Sequence, residues 1–124
     1  MSKEITLVLS LGYANANGNV GSNTRAVNGV TVDVATNRYT QNVQHVATSA
    51  AALVLGGVTT VGYCLLHNLD PTNYITVYPT AAADEPALKL KTGEWALFRF
   101  HPSAVPYVKA DTAACDLEVF LIND

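Results

Sequence analysis

The chain is short, mildly acidic and poor in charged side chains. Its 124 residues carry a formal net charge of −3, and 49% of them are hydrophobic while only 14% are charged. A typical soluble domain has about 25% charged residues. The length predicts a single domain over residues 1–124. The scattered Lys and Arg residues argue against nucleic-acid binding, which needs clustered positive charge. The sequence also lacks the long apolar run that would predict a membrane span.

The N-terminal third alternates apolar and polar residues, as half-buried strands do. Ile5, Leu7, Leu9 and Leu11 share one face of a predicted strand. Further predictions are a turn at NANGN (15–19), inward-facing Val30, Val32 and Val34, and an extended segment RYTQNVQHV (38–46). These features predict β-structure from the start of the chain.

The rest of the chain continues in short strands. TSAAALVLGG (48–57) is too short for a helix and ends in Gly-Gly, so it predicts a brief strand at 52–55. The later strand signals are TVGYCLLHN (60–68), YITVY (74–78), ALKLKTGEWALFRF (87–100) and CDLEVFLI (115–122), with Trp95 expected in the core. About eight or nine short strands at regular spacing predict an all-β, antiparallel, jelly-roll-like β-sandwich.

The segment HNLDPTNY, residues 67–74, concentrates turn residues between two apolar strands. Pro71 fixes one backbone angle, and the side chains of Asn68, Asp70 and Asn73 can accept hydrogen bonds from loose backbone N–H groups. A calcium site would need several carboxylates, and Asp70 is the single carboxylate here. We therefore predict a structural turn, in the form of a rigid hairpin corner.

No residue pattern predicts catalysis, a cofactor or a metal. His45, His67 and His101 lack metal-ligand spacing. Cys64 and Cys115 lie in apolar strands, which makes a thiol unreactive, and no GxSxG nucleophile motif is present. The acidic residues Asp84, Glu85, Asp116 and Glu118 are expected to face solvent.

Among the Trp and Tyr residues, Tyr74 and Tyr78 are the pair that the alternation places on the same side of a strand, with polar Thr76 between them. Such a pair could stack on a sugar ring, lie in a subunit interface, where tyrosine is enriched, or complete a second core face. We keep these alternatives open as a possible interface or stacking site.

The surface composition points to association with other subunits. Thr, Asn, Ser, Gly and Ala take the place of the missing charges. Charged residues keep a free surface hydrated and monomeric, and they are depleted in the cores of protein–protein interfaces. The composition therefore favours a subunit that packs against other chains.

Three segments resemble small virion proteins of tailed bacteriophages. They are VQHVATSAAALVLGGVTTVGYCLLHNLDPTNYITV (43–77), LKLKTGEWALFRF (88–100) and VKADTAACDLEVFLIND (108–124). The pattern is close to Gly-Tyr-x-x-x-x-Asn-Leu-Asp-x-Thr-Asn-Tyr-Ile/Val, followed by a Leu-Lys-x-Gly-Glu strand and Ala-Asp-Thr-Ala. It covers residues 43–124, and residues 1–42 lie outside it.

The resemblance implies a jelly-roll-like capsid decoration or cement protein of the virion, assembled in the host cytoplasm. It implies a homo-oligomer, with a trimer favoured, bound to the major capsid protein, and no enzymatic activity. The alternative is a glycan-binding accessory domain of a phage head fibre or tail, in which Tyr74 and Tyr78 would be exposed.

Overall fold

The computed structural model describes residues 5–14, 20–32, 38–101 and 105–124. The chain divides into two compact units, Met1–Ala35 and Thr36–Asp124. The predicted turn at 15–19 and the predicted inward position of Val34 lie outside the described residues.

The first unit is a two-stranded antiparallel sheet. Strand β1 (Ile5–Ala14) pairs with β2 (Val20–Val32). The register changes from Leu7 opposite Val30 to Leu9 opposite Arg25. Asn28 and Gly29, residue types that are common in turns, fall inside this irregularity and lie at a break in register within one long strand.

The described residues of the second unit, 38–101 and 105–124, contain eight strands in two four-stranded antiparallel sheets. They are β3 (Tyr39–Val46), β4 (Ala51–Ala52), β5 (Val61–Asn68), β6 (Ile75–Tyr78), β7 (Leu88–Leu90), β8 (Trp95–Arg99), β9 (Tyr107–Ala110) and β10 (Cys115–Asn123). The predicted sandwich domain spanned 1–124, whereas all eight sandwich strands lie in the second unit, from Tyr39 onward.

The strand order is that of a jelly roll. One sheet has the order β3-β10-β5-β8 and the other β4-β9-β6-β7. The chain changes sheet at every connection except the one between β6 and β7, which are neighbours in the same sheet. Eight strands in two such sheets form a double Greek key. The predicted all-β antiparallel sandwich is confirmed.

One apolar core lies between the two sheets. The strands alternate as predicted, and the inward residues are almost fully buried. The buried side chains from the first sheet include Cys64, Leu66, Leu117, Val119 and Leu121, and those from the second include Ile75, Val77, Val108 and Ala110. Each fully buried Leu, Ile or Val stabilises the fold by about 1.5–3 kcal/mol, so this cluster is the main source of stability.

Both cysteines belong to this core as free thiols. Cys64 is fully buried and Cys115 is 1% exposed. Burial raises the pKa of the Cys64 thiol to about 12, because the thiolate would be desolvated there. Cys64 is therefore a packing residue without nucleophilic character at neutral pH.

The brief strand predicted at 52–55 is two residues long and starts earlier, at Ala51–Ala52. After it the chain turns, with Leu53 N–H donating to the Pro106 carbonyl and Val58 N–H donating to the Leu55 carbonyl. Gly56 adopts a positive φ of 57° inside this turn, a conformation that glycine takes at little cost. The strand thus ends at Ala52, before the turn that contains Gly56.

Candidate docking surface

The loop after β5 is a corner between the two sheets. β5 belongs to the first sheet and β6 to the second, so the predicted hairpin is wrong. A turn sequence fixes how sharply the chain bends, but not which sheet accepts the next strand. The predicted turn residues Asn68, Asp70, Pro71 and Asn73 all lie in this corner.

Asn68 is the centre of the corner, and its side chain is fully buried. Its Nδ2 donates to the carbonyls of Asn73 (2.9 Å) and Leu90 (3.0 Å). Its Oδ1 accepts from the backbone N–H of Asp70 at 2.9 Å. A single amide therefore joins β5 to the start of β6 and to the end of β7.

Asp70 closes the same corner from outside. Its Oδ2 accepts from the backbone N–H groups of Asn73 (2.6 Å) and Thr72 (2.9 Å). These two bonds lower the pKa of the carboxyl below its ordinary value of 3.8, because they favour the charged form. The carboxylate is thus engaged with the backbone, and Pro71 beside it is exposed.

Tyr74 and Tyr78 do not form an exposed pair of rings. Tyr78 is only 9% exposed, and Tyr74 is half-buried with Lys89 Nζ 4.1 Å from its ring centroid. The negative charge of Asp111, which also hydrogen-bonds the phenol, raises the pKa of Tyr74. A sugar that needs both rings free would find neither ring open at this position.

The first sheet carries a second apolar surface on the side away from the core. We call it the outer face, and it is built from the alternate residues of β3, β10, β5 and β8. Its members are Tyr39, Gln41, Val43, His45, Tyr63, Leu65, His67, Trp95, Leu97, Arg99, Asp116, Glu118, Phe120 and Ile122. Most of these are apolar or aromatic.

The exposure of this face is highest on its two border strands. Tyr39 is 63% exposed and Val43 is 57% exposed on β3, while Trp95 is 56% and Leu97 is 38% exposed on β8. Leu65 and Phe120 lie between them, half-buried. Large apolar patches of this kind are uncommon on solitary soluble proteins and mark contact surfaces.

Trp95 was expected in the core, and this prediction is wrong. Its ring lies on the outer face and stacks on His67, with the ring centroids 3.8 Å apart and an interplanar angle of 9°. Ala96 and Phe98, which alternate with Trp95 and Leu97 along β8, point toward the core and pack against it. Apart from Arg99 at its end, β8 is apolar on both faces, so alternation left this one residue to indicate which face was covered.

Two other aromatic contacts order the outer face. Tyr39 stacks on Phe120 with centroids 5.8 Å apart, and the guanidinium of Arg99 lies 5.2 Å from the ring centroid of Tyr63. These cross-strand contacts hold the rings in fixed positions. The surface is therefore pre-organised rather than a set of loose side chains.

Charged groups lie mainly at the two ends of the outer face. At one end, Nδ1 of His45 lies 2.9 Å from Oδ1 of Asp116, and both side chains are exposed. At the other end, Arg99 forms an ion pair with Asp124. Glu118 lies between, opposite His67 on β5. The face is thus mainly apolar, with charged groups at its two ends and Glu118 in its middle.

The described residues contain no arrangement that we can assign to catalysis. Within them, no group of three His, Cys, Asp or Glu side chains could hold a metal ion. Asp84 and Glu85 are exposed in the loop between β6 and β7. In these same segments we find no helix with the length and apolarity that crossing a lipid bilayer requires.

Comparisons with family models, with curated proteins and with solved structures found no match for this chain. The functional interpretation consequently depends on the surfaces described above and on the sequence pattern.

Proposed function

We propose that this chain is a structural virion protein of a tailed bacteriophage, a non-enzymatic capsid decoration or cement protein that stabilises the outer capsid lattice. The observation that carries the proposal is the outer face of the first sheet, which is mainly apolar and exposed at Tyr39, Val43, Trp95 and Leu97. Burying that face against a partner would remove apolar surface from water, which is the main driving force for association.

The size of the face fits a subunit that acts in many copies. With four strands about 4.8 Å apart, each about eight residues long at about 3.3 Å per residue, the face has a flat area of roughly 500 Å². Stable pairwise complexes bury about 800 Å² per partner. A single contact of this size is weak, but symmetric copies that bind one lattice together gain avidity without new contacts.

The composition and the sequence pattern support the same proposal. A chain with 14% charged residues has few charged groups to keep its surface hydrated and the chain monomeric. The segments in 43–124 resemble small virion proteins of tailed phages, for which the major capsid protein would be the partner and the virion the location. A homo-oligomer, with a trimer favoured, is part of this proposal.

The test is binding to capsids. Capsids that lack this chain, prepared from the phage that encodes it, are mixed with the purified protein and sedimented. Wild type should co-sediment and raise the temperature at which the capsids release DNA. Phe120→Thr, in the centre of the outer face, should reduce co-sedimentation at least tenfold. Val54→Thr is the matched control, since Val54 is 55% exposed outside the outer face.

Failure of wild type to bind such capsids would overturn the proposal. So would equal binding by Phe120→Thr and wild type, provided that both have the same thermal stability, because the outer face would then have no part in docking.

One observation favours a second candidate, a glycan-binding accessory domain of a head fibre or tail. The indole of Trp95 is exposed and stacks on the ring of His67, and Glu118 lies opposite His67 on the next strand. An aromatic plane beside polar groups suits a sugar ring. Because Trp95 is the one tryptophan in the chain, titration with oligosaccharides should change its fluorescence, and no change across a panel of phage-receptor glycans would exclude this candidate.

A further inference from the structure

Strand β3 forms one border of the first sheet, and its outward backbone groups have no partner within the sheet. The N–H of Asn123 donates to the carbonyl of Arg38, and the β3–β10 register is uninterrupted. In an antiparallel pair, alternate residues turn their N–H and C=O groups to the neighbouring strand. Tyr39, Gln41 and Val43 therefore turn theirs away from β10, toward the open edge.

Strand β8 forms the opposite border with the same arrangement. Asn68 N–H donates to the Glu94 carbonyl, and Phe100 N–H donates to the Gly62 carbonyl. By the same alternation, Trp95, Leu97 and Arg99 turn their backbone groups away from β5. Within the described residues, both edges thus present a row of backbone donors and acceptors that no strand of the sheet pairs, on residues whose side chains are exposed on the outer face.

Neither edge carries the usual protection against strand addition. Native edges are normally blocked by Lys, Pro, a bulge or an inward charge. Residues 39–46 contain no Lys, Arg, Asp, Glu or Pro, and the β3–β10 register has no shift. On β8 the one charged residue is Arg99, at its end. An open edge of this kind is a site for pairing with another strand.

We infer that the β8 edge of one copy pairs with the β3 edge of the next copy, which extends the sheet from subunit to subunit. The inference rests on the homo-oligomer of the proposed function and names its interface. The order β3-β10-β5-β8 is antiparallel throughout, so β8 runs antiparallel to β3. Copies related by an axis along the strands would therefore join β8 to β3 as one more antiparallel pair.

The side chains at the two edges complement each other in this arrangement. In the register of the first sheet, Val43 lies in the same row across the four strands as Trp95, and Gln41 lies in the same row as Leu97. When two copies join so that these rows continue, Trp95 of one copy faces Val43 of the next, and Arg99 faces Tyr39. Both are favourable cross-strand pairs. No like charges meet.

A head-to-tail joint also uses both edges at once. Pairing β3 with a second β3 about a two-fold axis would leave β8 open in every copy. The head-to-tail joint repeats around a closed ring and leaves neither border of the first sheet free, as heterologous interfaces do when the rotation closes. The ring that agrees with the proposed function has three copies.

The test is the mass in solution, measured by size-exclusion chromatography with light scattering. Wild type should have the mass of three chains. Val43→Glu blocks the β3 edge and Trp95→Glu blocks the β8 edge, so each variant alone should have the mass of one chain. An equimolar mixture should have the mass of two chains, because one intact edge remains on each variant. Val54→Glu, exposed but on neither edge, should keep the wild-type mass.

Several results would overturn the inference. These are a monomeric wild type, a Trp95→Glu variant that keeps the wild-type mass, or a mixture that stays monomeric. Should circular dichroism show either variant unfolded, amide hydrogen exchange of wild type decides instead. The outward amides of Gln41, Val43 and Leu97 should exchange at least tenfold more slowly at high protein concentration than at low, and equal rates would contradict the pairing.

The same variants separate this inference from the proposed function. Oligomers that respond as described but do not bind capsids would refute the capsid role and leave the joint standing. Capsid binding by a wild type whose mass does not depend on Val43 or Trp95 would refute the joint and leave the capsid role standing.

Discussion

Replacing Asn68 with Ala removes the amide that links three segments of the sandwich. The change deletes the bonds from Nδ2 to the carbonyls of Asn73 and Leu90 and the bond that Oδ1 accepts from Asp70 N–H. Asn68 is fully buried and Leu90 is 4% exposed, so water has little access to the groups left behind.

The magnitude follows from those three bonds. Each net hydrogen bond contributes about 1 kcal/mol, and an unpaired buried carbonyl costs about 1–3 kcal/mol more. Asn68→Ala should thus lower the free energy of unfolding by about 4–6 kcal/mol, of which about 3 come from the three bonds and about 1–3 from the unpaired Leu90 carbonyl. Domains have about 5–15 kcal/mol in total, so the variant should remain folded at low temperature but lose much of its margin.

Urea unfolding followed by circular dichroism measures this loss. In thermal unfolding, at about 4–8 °C per kcal/mol for a domain of this size, the Tm should fall by at least about 16 °C. Asn42→Ala is the matched control, since it makes the same truncation at a half-buried residue of β3. If Asn68→Ala stayed within about 1 kcal/mol of wild type, the corner would not depend on this side chain and our account of it would be wrong.

Three further outcomes are expected. Because the folded-state pKa of Asp70 lies below 3.8, its carboxylate stabilises the fold fully above pH 3.8, and this stabilisation is lost as the pH falls through the folded-state pKa. In acid unfolding, wild type should therefore lose more stability than Asp70→Asn between pH 5 and the acid limit. Gly56→Ala should lower the free energy of unfolding, measured by thermal unfolding, by about 1–2 kcal/mol, because φ is +57° there and a Cβ would lie 2.5 Å from Thr40 Oγ1. Gly57→Ala, with open space around it, should lower it by less in the same measurement. Cys64, whose pKa is raised to about 12 by burial, should not react with a thiol reagent until urea unfolds the chain; labelling of the native protein would contradict its burial.

Alternation predicted the inward faces of the sandwich strands well. Leu117, Val119 and Leu121 are buried in β10 as the sequence indicated, and so are Ile75 and Val77 in β6. This succeeds because a strand has a two-residue period, and a buried face selects apolar residues at alternate positions. The signal is local and needs no knowledge of which strands are neighbours.

The outer face could not be predicted in the same way. In β8 Trp95 and Leu97 alternate with Ala96 and Phe98, so the apolar residues alone do not decide which set faces the core, and Arg99 at the strand end is the single residue that favours the Trp95 set as the outer one. The answer depends on pairing with β5, from Leu65 opposite Leu97 onward, and that partner is about 30 residues away in sequence. Long-range pairing also decided that the Asn68 corner joins two sheets rather than two strands of a hairpin.

The place of β10 in the first sheet affects how the protein is made. β3 and β5 are each hydrogen-bonded to β10 and not to each other, and Tyr39 pairs with Ile122. During translation both earlier strands emerge long before the strand that lies between them. Such long-range pairing is slow and leaves apolar edges exposed meanwhile. We therefore expect nascent chains halted before β10 to be protease-sensitive and prone to aggregate. We also expect the yield in the cell to depend on chaperones that bind these chains until synthesis passes Cys115.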